Sequence, residues 1–172
     1  MAVALGRLFG LKVIVTCGSD RKCVAARKLG AALAVNYRTQ DFVEEVRRFT
    51  HGKGVAVVLD MVGGDYVPRN LASLAEEGRH VSIAFQRGST AEIPIADLMR
   101  RRLTLTGSTL RPREVIFKTM VADELARTVW PYVEGNRLKP VIDSTFPLAE
   151  AAAAHARMES GEHIGKIVLE IG

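Results

Sequence analysis

Short runs of β-branched and apolar residues recur along this chain, each followed by a turn and then a stretch with helical spacing, and that alternation restricts the fold severely. The clearest case is Lys12 to Lys22, KVIVTCGSDRK. Val13, Ile14 and Val15 suit a strand covered on both faces in a parallel sheet. Gly18 lets the backbone turn tightly, and Ser19 or Asp20 caps a helix carrying Arg21, Lys22, Ala25, Ala26 and Leu29. Ligands of a doubly wound sheet bind beyond the carboxyl ends of its strands, so this turn is expected to face a ligand crevice. An acidic residue there would bond ribose hydroxyls. Here Gly18 and Ser19 stand with Arg21 and Lys22 just beyond, which reads as a 2′-phosphate pocket, beside the plainer reading of a capped helix with two solvated cations.

The alternation continues. Met1 to Gly10 has the pattern of the last turns of an amphipathic helix closed by Gly10. Ala32 to Asn36 predicts a second strand leading to Tyr37, and Asp41 to Phe49 a helix with Phe42, Val43, Val46 and Phe49 on one stripe. Val55 to Asp60, VAVVLD, predicts a third buried strand ending in Met61-Val62-Gly63-Gly64, where two glycines let a ligand approach the backbone. A helix over 66–74, a strand over 79–84 and a polar loop from Phe85 to Ser89 follow. Ile95 to Arg102 predicts a short helix, and Leu103 to Leu110 alternates as an edge strand does. Beyond it the spacing predicts one long helix over 112–134, kinked near Pro131. A strand over 140–146, an alanine-rich helix over 149–158 and a last strand over 164–171 complete an α/β pattern.

Composition narrows the function. With 172 residues, 48% hydrophobic and 25% charged, the chain reads as a globular protein. Cys17 and Cys23 lack CxxC spacing and predict reduced thiols in a cytoplasmic protein. No apolar run reaches the roughly 18 residues of a membrane span, and Met1 to Phe9 is too short and too weakly charged for a signal peptide. The net charge of +5 comes from dispersed cations apart from Arg100, Arg101 and Arg102, a run without aromatics, so nucleic-acid binding is the weaker reading.

The segments TCGSDRK, LGAALAVNYRTQDF, GKGVAVVLDMVGGDY, LTLTGSTLRPR and the closing stretch from Lys139 to Ile171 together resemble the zeta-crystallin-like quinone oxidoreductases of the medium-chain dehydrogenase/reductase superfamily. That resemblance implies a Rossmann-like doubly wound parallel sheet. It implies a dimeric, zinc-independent enzyme that uses NADP(H) to reduce a quinone or other conjugated carbonyl. Residues 1–110 would belong to the dinucleotide-binding domain, and 111–172 would return to a GroES-like catalytic domain. Matched position by position, Gly18, Ser19 and Lys22 would hold the adenosine 2′-phosphate with Tyr37 beside it. Val62 and Gly63 would lie against adenine and ribose, Phe85 would border the nicotinamide, and Lys166 would lie near the cofactor. Leu103 to Leu110 would sit at a subunit contact of a homodimer.

Two parts of the family pattern are missing: the glycine-rich turn with the strand before it, and the GroES-like domain. In the order 3-2-1-4-5-6 that strand is central, between those at Val13 and Val55. The sequence therefore predicts that this chain alone does not form the intact sheet with a working cofactor site. It would be a fragment inactive alone, or its gap would be closed by rearrangement or by a partner.

No metal-ligand spacing joins His51, His80, His155 and His163, and no nucleophile elbow or P-loop is present. Hydride transfer needs no protein acid or base at the accepting carbon, so the lack of a catalytic constellation does not weigh against an oxidoreductase. The alternatives are a non-catalytic dimerisation or nucleic-acid-binding module on a Rossmann-like domain, and a methyltransferase, whose glycine-rich first loop is equally missing.

Overall fold

The computed structural model describes residues 1–172. In chain order it begins with α1 (Ala2–Leu8), β1 (Ile14–Cys17), α2 (Asp20–Lys28), β2 (Leu33–Asn36) and α3 (Phe42–Phe49). Next come β3 (Val55–Asp60), α4 (Tyr66–Ser73), β4 (Leu74–Ser82), α5 (Ile95–Arg100) and β5 (Thr104–Gly107). The chain closes with α6 (Val115–Thr128), α7 (Trp130–Glu134), β6 (Ile142–Pro147), α8 (Ala151–Glu159) and β7 (Lys166–Glu170). It divides into two compact units, residues 35–121 and residues 1–34 with 122–172.

Residues 35–121 are built on the parallel sheet β3-β4-β5. One face of this sheet is closed by α4 and the segment after Leu98, through Val67, Leu71, Leu74 and Leu103. Leu74 already pairs with Val55, and an irregularity lets Arg79 become the partner of Val57. Glu77 sits at φ +60° within it. The strand thus starts five residues earlier than its sequence pattern predicts, because the polar stretch Glu76-Glu77-Gly78 hides a bulge. The third strand departs from expectation in burial. VAVVLD reads as buried on both faces, yet Val57 is 59% and Leu59 53% exposed. The reason lies in the faces of the sheet: Val58 packs on the α4 side, and Val57 and Leu59, two residues apart, alternate onto the opposite, exposed face.

β1 and β2 form a two-stranded sheet, the division of the chain falling within β2 after Ala34, and in the unit of residues 1–34 and 122–172 β6 and β7 make a parallel pair. Cys23, Ala26, Ala31 and Ala34 make a small core with Val3, Val15 and Cys17. With so few large side chains against it, β1 is half-buried where its sequence predicts full cover. The Asp143 carboxylate joins β6 to α8. It accepts from Arg157 Nε at 3.0 Å, from Arg157 Nη2 at 3.1 Å and from the Ile164 amide at 2.8 Å. Those donors hold its carboxyl well below the usual carboxylate range, the Arg157 bonds most of all.

The expected helix over 112–134 is two helices, parted at Val129. Pro131 has no N–H to offer the carbonyl four residues back, so the first helix stops there and a new one starts with that proline in its first turn. No helix is long and apolar enough to cross a membrane.

Candidate functional site

The carboxyl ends of β3, β4 and β5 open onto one cleft of about 370 Å³. Gly63 and Gly64 line it after β3, Ser82 to Phe85 at the end of β4, and Gly107 to Thr109 with Arg113 at the end of β5. Strand ends of a parallel sheet are where such folds bind ligands, since the diverging loops leave the room. Ser82, Ser108 and Thr109 line it together with Val67, Ile83 and Phe85. The cleft therefore offers both hydrogen bonds and an apolar wall to a planar organic ligand.

Main-chain bonds tie its loops together. The Gln86 and Arg87 amides donate to the carbonyls of Met61 and Val62 at 3.3 and 2.8 Å, and Ser108 N–H donates to the Ser82 carbonyl at 3.0 Å. Gly63 lies at φ +70°, and a Cβ on it would come within 2.6 Å of the Gly88 carbonyl oxygen and 3.0 Å of Phe85 Cα. What approaches this glycine closely is the neighbouring loop, so the residue is required for loop-on-loop packing. Arg87 reaches Asp65 at 3.2 Å and lies 5.4 Å from the Tyr66 ring centre.

Under the turn, Asp60 is buried at the last position of β3. It accepts the Val62 amide at 2.7 Å and the Gly63 amide at 3.3 and 3.2 Å from its two oxygens. His80 Nε2 lies 3.3 Å from Asp60 Oδ2, and Asn70 Nδ2 lies 3.4 Å from that ring nitrogen. Burial pushes the His80 imidazole below its ordinary pKa, against the opposing pull of Asp60.

The candidate residues fall into two groups, one in each unit. Val62, Gly63 and Phe85 come together around the cleft loops, with Val62 half-buried and the Phe85 ring 67% exposed. Tyr37, in the same unit, follows β2 with an exposed ring. Gly18, Ser19 and Lys22 form the expected turn between β1 and α2 in the other unit. Ser19 is the N-cap, its hydroxyl accepting the Lys22 amide at 3.3 Å. The Lys22 ammonium donates to the Gly161 carbonyl. Lys166 opens β7 with its side chain exposed. Cys17, at the end of β1, has its thiol pushed up to about 11, chiefly by burial and then by Cys23, against Lys22 and Arg27.

Sequence reasoning missed Asp60, His80 and Asn70 as a unit, and Arg113 as a lining residue. The available signal was an acidic residue closing an apolar run, followed by a strand in which His80 takes the inward place between exposed Arg79 and half-buried Val81.

A parallel α/β sheet with a lined cleft over its strand ends is the architecture of the doubly wound, ligand-binding α/β proteins. The chain belongs to the zinc-binding dehydrogenase family, whose model matches residues 29–169. Its relatives lie in the medium-chain dehydrogenase/reductase superfamily, and the chain corresponds to the C-terminal, cofactor-domain portion. It is 36% identical over 171 residues to the 2-haloacrylate reductase of a Burkholderia species, covering 97% of this chain and 50% of that protein. It is 34% identical to the bovine quinone oxidoreductase-like protein 2, covering 93% of this chain and 46% of that one. Among solved structures, Escherichia coli quinone oxidoreductase complexed with NADPH superposes with a TM-score of 0.81 at 28% identity, over 98% of this chain and 52% of the other. An NAD-dependent alcohol dehydrogenase superposes with a TM-score of 0.78 at 34% identity, over 99% and 47%. The chain thus spans about half the length of the relatives it matches. The family's name includes zinc, but no three His, Cys, Asp or Glu side chains gather in a way that could hold a metal ion. The residues present do not fit that ion.

Proposed function

We propose that this chain is the cofactor-holding part of an NADPH-dependent reductase acting on a quinone or another conjugated carbonyl. The observation that carries the reading is the lined cleft over the ends of β3, β4 and β5, braced by main-chain bonds between its loops. The names of the relatives support it: a haloacrylate and a quinone both offer a carbon–carbon double bond conjugated to a carbonyl. A reduced nicotinamide, when bound, supplies the hydride.

The chain's own residues hold and orient. Val62 and Gly63 take adenine and ribose, and Phe85 borders the nicotinamide. Gly18, Ser19 and Lys22, with Tyr37, take the 2′-phosphate, the phosphate replacing the Gly161 carbonyl as partner of the Lys22 ammonium. Lys166 adds a cation near the cofactor. Residues 1–110 act as the cofactor domain and 111–172 pack on a GroES-like domain that completes the substrate pocket, so turnover requires that domain and is absent from this chain alone.

Titration by nicotinamide fluorescence tests the reading. NADPH is expected to bind weakly but measurably, and at least about tenfold more tightly than NADH, a preference that Lys22→Ala abolishes. Preference for NADH would remove the role of Lys22. Binding of neither would remove the cleft as a cofactor site. β5 is a sheet edge with all four residues exposed, which favours a homodimer paired through it, and the location proposed with it, on the free-thiol reading of Cys17 and Cys23, is the cytoplasm. A monomer on gel filtration at micromolar concentration would count against that pairing.

A further inference from the structure

The Val62–Gly63 turn owes its shape to a buried carboxylate. Asp60 has one oxygen facing the Val62 amide at 2.7 Å, the Gly63 amide within 3.3 Å of both oxygens, and Oδ2 facing His80 Nε2 at 3.3 Å. Both Asp60 oxygens already accept backbone amides, so the geometry assigns the proton to the His80 nitrogen facing Oδ2, which makes that nitrogen a donor to the carboxylate. His80 is 0% exposed and lies in register between Val58 of β3 and Leu105 of β5. Asp60 faces it from β3; Asn70 Nδ2, 3.4 Å away on α4, is itself a donor and makes no bond to a protonated Nε2, and Nδ1 has no hydrogen-bond partner. A histidine present only to fill space would be poorly chosen there, because a leucine fills a similar volume without an unmatched nitrogen. The imidazole offers what leucine lacks, a third donor for a carboxylate shut away from water.

We propose that His80 is a positioning residue: by donating to Asp60 it fixes the Val62–Gly63 turn, and through that turn it sets how tightly the cleft holds a nucleotide. Without this donor Asp60 must draw in water or rotate toward another partner, and either movement loosens its hold on the Gly63 amide. Gly63 and Gly64 line the cleft, so the loosening reaches the ligand.

His80→Leu and His80→Gln test this in the chain as it stands. The side-chain amide of glutamine places an N–H where Nε2 stands, whereas leucine keeps the bulk and removes the donor. Amide hydrogen exchange is read at Val62 and Gly63, with the β5 amides as internal reference. His80→Leu is expected to speed exchange at Val62 and Gly63 by about tenfold or more relative to β5, and His80→Gln to stay within about twofold of wild type. Should His80→Leu fail to fold, Asp60→Asn, which weakens the acceptor, is expected to give the same selective acceleration.

Unchanged exchange at the two amides, or equal acceleration in β5, would overturn the proposal. NADPH is the probe for the second readout, which rests on the function proposed above, and its Kd is expected to rise in His80→Leu and recover in His80→Gln. Selective exchange changes with no NADPH binding in any variant would uphold the anchoring of the turn and overturn the nucleotide reading alone.

Discussion

The imidazole of His80 meets the carboxylate of Asp60 at 3.3 Å, and neither side chain reaches solvent. Burial lowers the imidazole's affinity for a proton in the folded state relative to its ordinary value of 6.5. The unfolded chain therefore binds more protons in the window just below that value. Its contribution to stability is complete above about pH 6.5 and is lost as the pH falls toward the folded-state pKa. Thermal unfolding between pH 5 and 7.5 is expected to show a Tm that declines on the acid side. His80→Gln, which does not titrate, removes that share of the slope.

Asp143 behaves in the same sense at lower pH. Arg157 and the Ile164 amide keep its carboxyl well below the usual range, so its stabilising share is present above about pH 4 and lost as acid reaches the folded-state value. Asp143→Asn is expected to lower the Tm at pH 7 and to narrow the difference from wild type below pH 4. An unchanged gap across that range would mean that the Arg157 pair contributes nothing.

Leu74 is 2% exposed in the cluster with Val67, Leu71 and Leu103. Leu74→Ala should cost about 2–5 kcal/mol, since both the buried surface and the cavity left behind count. Urea unfolding measures it.

Gly63→Ala meets two obstacles, a backbone at φ +70° and the Gly88 carbonyl 2.6 Å from the added carbon. A loss of about 1–3 kcal/mol in stability is expected, with exchange at Arg87 rising because its bond to the Val62 carbonyl breaks as the loops part.

Val57 and Leu59 project from the exposed face of a strand at a sheet edge. Such edges recruit other strands. Val57→Lys is expected to reduce association of the chain at high concentration, as read by light scattering, with little effect on its Tm.

Most of the fold was legible because strand and helix periods differ and each element keeps its own. The runs at Val13 and Val55 and the stripe of Phe42, Val46 and Phe49 announce their elements without help from the rest of the chain. What was not legible depended on neighbours. Nothing within VAVVLD says that one face of its strand would stay exposed, and nothing within Leu74 to Gly78 says that those residues would bulge and still pair. Gly63 and Phe85 could be singled out, but the contact between their loops could not, because main-chain bonds leave no mark on side-chain identity. Asp60 and His80 stayed hidden for a related reason: twenty positions separate two polar residues that only the sheet makes adjacent.

The bonds from Gln86 and Arg87 to the carbonyls of Met61 and Val62 use peptide groups alone. Any amino acid except proline at 86 and 87 can supply them. The rim of the cleft can therefore keep its contour while Ser82, Thr109 and Arg113 are exchanged for residues that admit a different guest. Shape and selectivity are written in separate parts of the same polypeptide, and one can drift while the other stands still.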